Sequence, residues 1–236
     1  MLKKGLFLHI QKTAGSSLIT FARQHYRDNL ISHGDFVGHH PDEFKNTKFI
    51  SGHFGYDFAK HLIDDRYSFT FLRNPIERIL SFYYFHRTRK IDEFPITRKA
   101  HELDLEDFLA LGLTEPYIQS RIWNNQVWQL AHGYDSPHSI NDFSEETLLD
   151  RSIKNLKRFS HIGFVETFEQ DMEIIMPCLG IQYSKTNPLP KVNTTKNRLQ
   201  ISELPSSTLS ILNELTSLDR KLYEYAQTIR TKPEKP

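Results

Sequence analysis

Short apolar runs alternate along this chain with longer amphipathic stretches, and that rhythm admits few folds. A brief run that is apolar on both faces suits a parallel sheet, whose strands are joined by crossovers long enough to hold a helix. Gly5-Leu6-Phe7-Leu8-His9-Ile10 reads as the first strand. Ser17 to Tyr26 reads as the helix after it, with Leu18, Ile19, Phe21 and Ala22 on one side. Phe49-Ile50-Ser51-Gly52, Tyr67 to Leu72 and His161 to Val165 read as further strands. Pro75 opens a helix that runs to about Thr88, a position Pro tolerates because its missing N–H has no partner there. Residues 104–111, 116–131, 145–155 and 168–179 carry apolar side chains at helical spacing, and residues 205–229 close the chain as one helix. Residues 182–197, with Pro188 and Pro190, read as a loop. The pattern predicts an α/β fold with a central parallel sheet flanked by helices in three layers. The stretch from Lys90 to about Asp142 is a helical insertion in it. A length of 236 residues suits a single domain, residues 1–230, with 231–236 as a disordered tail.

Composition narrows the function. Thirty Lys and Arg against twenty-nine Asp and Glu give a net charge of +1, so no global field draws in nucleic acid, and any anion site must be local. One cysteine excludes an intramolecular disulfide and a Cys-rich zinc site, and Cys178, in an apolar stretch, reads as a core thiol. No run approaches the roughly 18–20 apolar residues of a transmembrane segment. Met1-Leu2-Lys3-Lys4 is basic, but the apolar run behind it is too short for a signal peptide, which points to the cytoplasm.

Two strand-to-helix junctions carry anion chemistry. In His9-Ile10-Gln11-Lys12-Thr13-Ala14-Gly15-Ser16-Ser17, a turn presents unpaired N–H groups at a helix N-terminus, where the dipole favours an anion. Gly15 lets the backbone approach a phosphate; Thr13, Ser16 and Ser17 add hydroxyls; Lys12 adds a charge. The segment is not GxxxxGK[ST], because Lys12 precedes its single Gly. The second junction is Arg73-Asn74-Pro75-Ile76-Glu77-Arg78-Ile79-Leu80-Ser81. Arg73 stands at a strand's C-terminal end, where open α/β sheets bind ligands. Arg73 and Ser81 together suit a phosphate; Arg78 could do the same, but reads first as a structural ion-pair partner of Glu77 or Glu166.

Taken together, the two motifs resemble the sulfotransferases that use 3′-phosphoadenosine 5′-phosphosulfate (PAPS), and most nearly the branch that sulfates carbohydrates, including the uronyl and heparan 2-O-sulfotransferases. The first segment is similar to that family's 5′-phosphosulfate loop, with Gln11 in the usual place of Pro; the second is similar to its 3′-phosphate motif. A weaker similarity reaches Leu218 to Ala226. The resemblance implies a P-loop-NTPase-like fold, PAPS as sulfuryl donor with PAP as product, no metal, and a hydroxyl-bearing, carbohydrate-type acceptor. It implies cofactor contacts from Lys12, Thr13, Ala14, Gly15, Ser16, Ser17, Arg73 and Ser81, and from Lys196 and Arg198 in a basic loop.

An alcohol that attacks sulfur must lose its proton, and a His near neutral pKa suits that work. Ser51-Gly52-His53-Phe54-Gly55-Tyr56 is similar to the H-G-H-x-x-Y context of the family's base, with Ser51 in the first His position and His53 in the second. Lys12 would stabilise the departing phosphate oxygen. His9 reads as a core or loop-orienting residue, and Trp123 and Trp128 read first as core, though either could line a sugar site. The basic runs Arg87 to Lys90 and Arg98-Lys99 could meet an acidic acceptor. Two other readings stay open: a P-loop-type nucleotide kinase, and a sulfotransferase-like binding module without catalysis.

Overall fold

The computed structural model describes residues 1–184 and 199–230. In chain order the elements are β1 (Gly5–Leu8), α1 (Gly15–Tyr26), β2 (Leu30–Ile31), β3 (Phe49–Gly52), α2 (Tyr56–Ala59), β4 (Tyr67–Leu72) and α3 (Pro75–Arg87). Then come α4 (Pro95–Glu102), α5 (Leu105–Thr114), α6 (Pro116–Ile122), α7 (Asn125–Ala131), α8 (Glu145–Leu156), β5 (His161–Phe164), α9 (Phe168–Cys178), α10 (Ser206–Leu215) and α11 (Ser217–Arg230). The strands form one sheet in the order β2-β3-β1-β4-β5, and every pairing is parallel. The layered α/β architecture is the one the apolar rhythm predicts.

Strand alternation divides the core. Leu6, Leu8, Ile50, Leu72 and Phe164 face one side, packed by α2, α7, α8 and α11. Phe7, Phe49, Phe69 and Phe71 face the other, packed by α1 and α9. A third cluster joins α3 to α6 with α10 through Ile79, Leu80, Phe108, Leu109, Ile122 and Leu212, so the inserted helices share a core with the C-terminal ones. Leu8 pairs with both Gly52 and Thr70, so β1 and β3 end level with one another and β4 runs on to Leu72, beside β5. The chain leaves β1 toward β2, returns to β3, then crosses to β4 on the other side of β1. This reversal opens a crevice over the strand ends, where such sheets bind ligands.

Several elements depart from the sequence reading. The helix expected over residues 116–131 is two, α6 and α7, divided at Asn124, whose φ is 41°. The closing helix is likewise two, α10 and α11, divided at Thr216. Each break completes the other. The Asn124 side chain accepts from the Leu218 and Asp219 N–H groups at 2.8 and 3.0 Å. The buried Asp219 carboxylate accepts from the Gln126 and Val127 N–H groups at 3.2 and 2.8 Å. Helices α7 and α11 thus cap one another across the core. The two-residue β2 is too short to carry a pattern, and α4, a short polar helix that buries only Ile96, Thr97 and Ala100, lies outside the helices the spacing predicts. Cys178 is half-buried rather than a core thiol. No described helix is long and apolar enough to cross a membrane.

Candidate functional site

The β1–α1 loop is shaped by backbone more than by side chains. Lys12 and Ala14 have φ of 70° and 64°, the left-handed region that L-residues enter at some cost. The turn leaves the start of α1 without a side-chain cap and without an acidic residue in its first turn, so the helix dipole faces the crevice. Gly15 is required by packing: a Cβ there would lie 2.0 Å from His9 Nε2. His9 is buried, stacks on Phe7 at 5.1 Å and holds the loop from beneath, the orienting role expected of it. Thr13 differs from expectation. Its hydroxyl is buried and donates to the Ile10 carbonyl at 2.8 Å, closing the turn instead of facing an anion.

The second junction is held by side chains. Asn74 caps α3 by accepting from the Glu77 N–H at 3.2 Å, and Pro75 takes the first helical position. Gln126 fixes Arg73 from both sides: its carbonyl accepts the Arg73 N–H and its amide donates to the Arg73 carbonyl, each at 3.0 Å. The Arg73 guanidinium reaches the Lys12 carbonyl at 3.2 Å and Glu77 at 3.5 Å, so it bridges the two junctions. Arg78 pairs with neither Glu77 nor Glu166. Glu77 faces Arg73, and Glu166 accepts the Asn74 N–H. Arg78 is fully buried instead, donates to the Arg121 carbonyl at 3.1 Å and is attracted by Asp219. Asp219 is pushed up to about 6 by its burial.

His53 follows β3. Its Nδ1 lies 2.9 Å from the His9 carbonyl, which can only accept, so Nδ1 carries the proton and Nε2 keeps its lone pair. Burial pushes the ring down to about 4, and His33, Arg121 and Lys12 add to the effect, so the imidazole is neutral at pH 7. The His9 and His33 rings lie 4.4 and 5.9 Å away. Lys12 Nζ rests 3.7 Å from the centre of the Phe85 ring. Burial and the charges of Arg73, Arg78 and Arg89 push Lys12 down to about 7.

These groups meet in one cleft of about 1050 Å³. Lys12, Ala14, Gly15, Ser16, Ser17, His53, Arg73 and Ser81 all line it, and Ser81 reaches it although it lies two turns into α3. Lys196 and Arg198 lie outside the described residues. The opposite wall is Val165 to Gln170, anchored by buried Asp171, which accepts from the Phe164 N–H, Thr167, His161 and Arg230. Sequence reasoning missed Phe82, Phe85 and His86 as cleft residues, which continue one face of α3 from Ser81, and Arg89, expected only in a basic patch, lines the cleft just past the helix end. The positions 81, 82, 85, 86 and 89 carry the 3.6-residue period that could have found them. The basic runs are locally compensated: Arg89 pairs with Glu93, Arg98 with Asp92, and Arg87 bonds Tyr83. Trp128 is buried in the core, as expected. Among the described residues no group of three or more His, Cys, Asp or Glu side chains is placed to hold a metal ion.

The arrangement can hold anions at two junctions and take a proton at a third point between them. A comparison with curated proteins found no match. A solved mouse sulfotransferase complexed with PAP is similar in fold, with a TM-score of 0.50 over 96% of this chain and 89% of that one at 14% identity. The sequence profile described as "Sulfotransferase family" matches residues 3–226, nearly the whole chain. The protein belongs to the sulfotransferase family, the enzymes that draw their sulfuryl group from PAPS.

Proposed function

We propose that the cleft binds PAPS and directs its sulfuryl group to a hydroxyl of a carbohydrate-type acceptor, with His53 as base and Lys12 at the departing phosphate oxygen. The observation that carries this reading is the convergence of both anion-binding junctions and a neutral histidine on one cleft. The residues fit the donor's chemistry. Burial, and after it the charges of Arg73, Arg78 and Arg89, hold the Lys12 ammonium down to about 7, and a doubly phosphorylated ligand would offset the charge repulsion. Lys12, Ser16, Ser17 and the start of α1 would hold the 5′ end; Arg73 and Ser81 would hold the 3′-phosphate. PAPS supplies, when bound, a sulfuryl group carried on a phosphate leaving group.

The chain's own residues do the rest. His53 takes the acceptor's proton at Nε2, because its Nδ1 proton is committed to the His9 carbonyl. The Lys12 ammonium balances charge that grows on the oxygen between phosphorus and sulfur. Fixed amides and cations do this without reorganising. A carbohydrate-type acceptor is supported by the motif resemblance and by the cleft's mouth, where Phe94 and Tyr117 are 49% and 41% exposed. Flat apolar faces of this kind pack against sugar rings. Calorimetric titration with PAP and with ATP tests the donor: clear preference for PAP is expected, and equal or absent binding overturns the reading.

A further inference from the structure

We propose that Gln129 is a positioning residue of the base: it fixes two backbone carbonyls beside His53 and so holds the ring with Nδ1 protonated and Nε2 open to the acceptor's proton. This rests on the reading of His53 as the base of sulfuryl transfer. Gln129 lies on α7, fully buried and outside the lining of the cleft. Its amide nitrogen donates to the His9 carbonyl at 3.1 Å and to the Phe54 carbonyl at 2.9 Å. A backbone carbonyl can only accept, so the nitrogen of the amide and not its oxygen must face both. The His9 carbonyl is the same group that accepts the Nδ1–H of His53 at 2.9 Å. A carbonyl oxygen has two lone pairs, and here the base takes one and Gln129 the other.

The backbone around His53 is pinned residue by residue. The Gly52 carbonyl accepts from the His9 N–H at 3.0 Å, and the His53 N–H donates to the His33 carbonyl at 3.1 Å. The Phe54 ring is buried and stacked on Phe58. The Phe54 carbonyl is held by Gln129. A buried carbonyl that loses its hydrogen bond moves to find another, because the unmade bond is costly. Phe54 follows His53 directly, so such a movement carries the base with it. Loss of Gln129 also leaves the His9 carbonyl held by the base alone, free to swing with the ring it is meant to orient.

A second glutamine shows why α7 carries this role. Gln126, three residues earlier, holds Arg73 through both of its backbone groups, each at 3.0 Å. Residues three apart on a helix share a face about 5–6 Å apart, and neighbouring strands run about 4.8 Å apart. One face of α7 therefore reaches two adjacent strand ends at once: His9 is the first residue past β1, and Arg73 the first past β4. Both glutamines are buried, and the start of their helix is fixed by the Asp219 carboxylate. The labour divides between them. Gln126 serves the residue that grips the donor, and Gln129 serves the base.

The test reads the two glutamines separately in the full chain. Nitrogen NMR of isotope-labelled histidine reports the tautomer and proton exchange of His53, with His53→Ala to identify its signals, and calorimetry reports PAP affinity. In the unmodified chain His53 is expected as the Nδ1–H tautomer with a slowly exchanging proton. Gln129→Met removes both donated bonds at nearly constant volume. It should speed exchange of that proton by about tenfold or more, the scale of one hydrogen bond, with PAP affinity unchanged. Gln126→Met should do the reverse: PAP weakened by about tenfold, His53 signals unchanged. Should Gln129→Met fail to fold, Gln129→Glu keeps the length and, protonated by its burial, one of the two bonds; a smaller gain in exchange is expected. An Nε2–H tautomer in the unmodified chain, unchanged His53 exchange in whichever Gln129 variant folds, or equal disturbance of His53 by Gln126→Met overturns the role. Absence of PAP binding to the unmodified chain sinks the donor reading, while the His53 signals, read without ligand, still decide the role of Gln129.

Discussion

The two strand-to-helix junctions face one cleft but are made of different material. At the β1–α1 loop the backbone makes the site: two left-handed residues turn the chain, α1 begins uncapped, and a cation is held where burial and neighbouring charges oppose it. At the β4–α3 junction the side chains make the site. Asn74 caps the helix, Gln126 clamps Arg73 by two bonds, and Arg73 is already balanced by Glu77. The first junction holds unfavourable energy that a ligand releases; the second is satisfied before anything binds. Catalysis is expected of the first and binding of the second.

Substitution separates the two. Lys12→Ala and His53→Ala should each lower sulfuryl turnover by about two to three orders of magnitude while PAP still binds, the usual scale for losing one such group. Steady-state kinetics beside calorimetry checks this, and near-normal turnover in His53→Ala would remove it from the base's role. Arg73→Ala should act the other way. It should weaken PAP by roughly ten- to a hundredfold, the scale of one or two charge-assisted bonds, with a smaller effect on turnover at saturation.

The pH dependence sharpens the contrast. Lys12 sits at about 7 in the free protein, and an adjacent phosphate raises it. The bound state therefore holds more protons than the free state at pH 7 and above. Binding should take up protons there, and PAP affinity should fall as pH rises from 7 toward 9. Calorimetry in buffers of different ionisation heat measures the uptake, and Lys12→Arg should abolish it. His53, at about 4, stays neutral across this range and adds nothing. The smallest effect belongs to the second junction: Asn74→Ala should destabilise the fold by about 1 kcal/mol, as loss of a helix cap does, leaving PAP affinity nearly unchanged.

The sheet and the two junctions were legible because their signals are local. Apolar runs of four to six residues mark β1, β3, β4 and β5, and Pro75 marks the start of α3. What stayed hidden depends on residues far apart in the chain. Asn124 lies inside a stretch with unbroken helical spacing, and it breaks the helix because its side chain is needed at Leu218 and Asp219. Arg78 looked like a partner for its neighbour Glu77, but its helix turns it toward Asp219. The Thr13 hydroxyl looked free for a phosphate until the turn bent it onto Ile10.

The exchange of caps between α7 and α11 has a consequence for how the molecule is made. The α7 end that receives Asp219 also carries Gln126, the clamp on Arg73. Asp219 lies 93 positions after Gln126, so the clamp gains its support only when α11 arrives. During synthesis the sheet can assemble early, but the anion-binding wall stays loose until the last helix docks. A chain cut short before Leu218 would retain every described residue that lines the cleft and still lack a finished cleft.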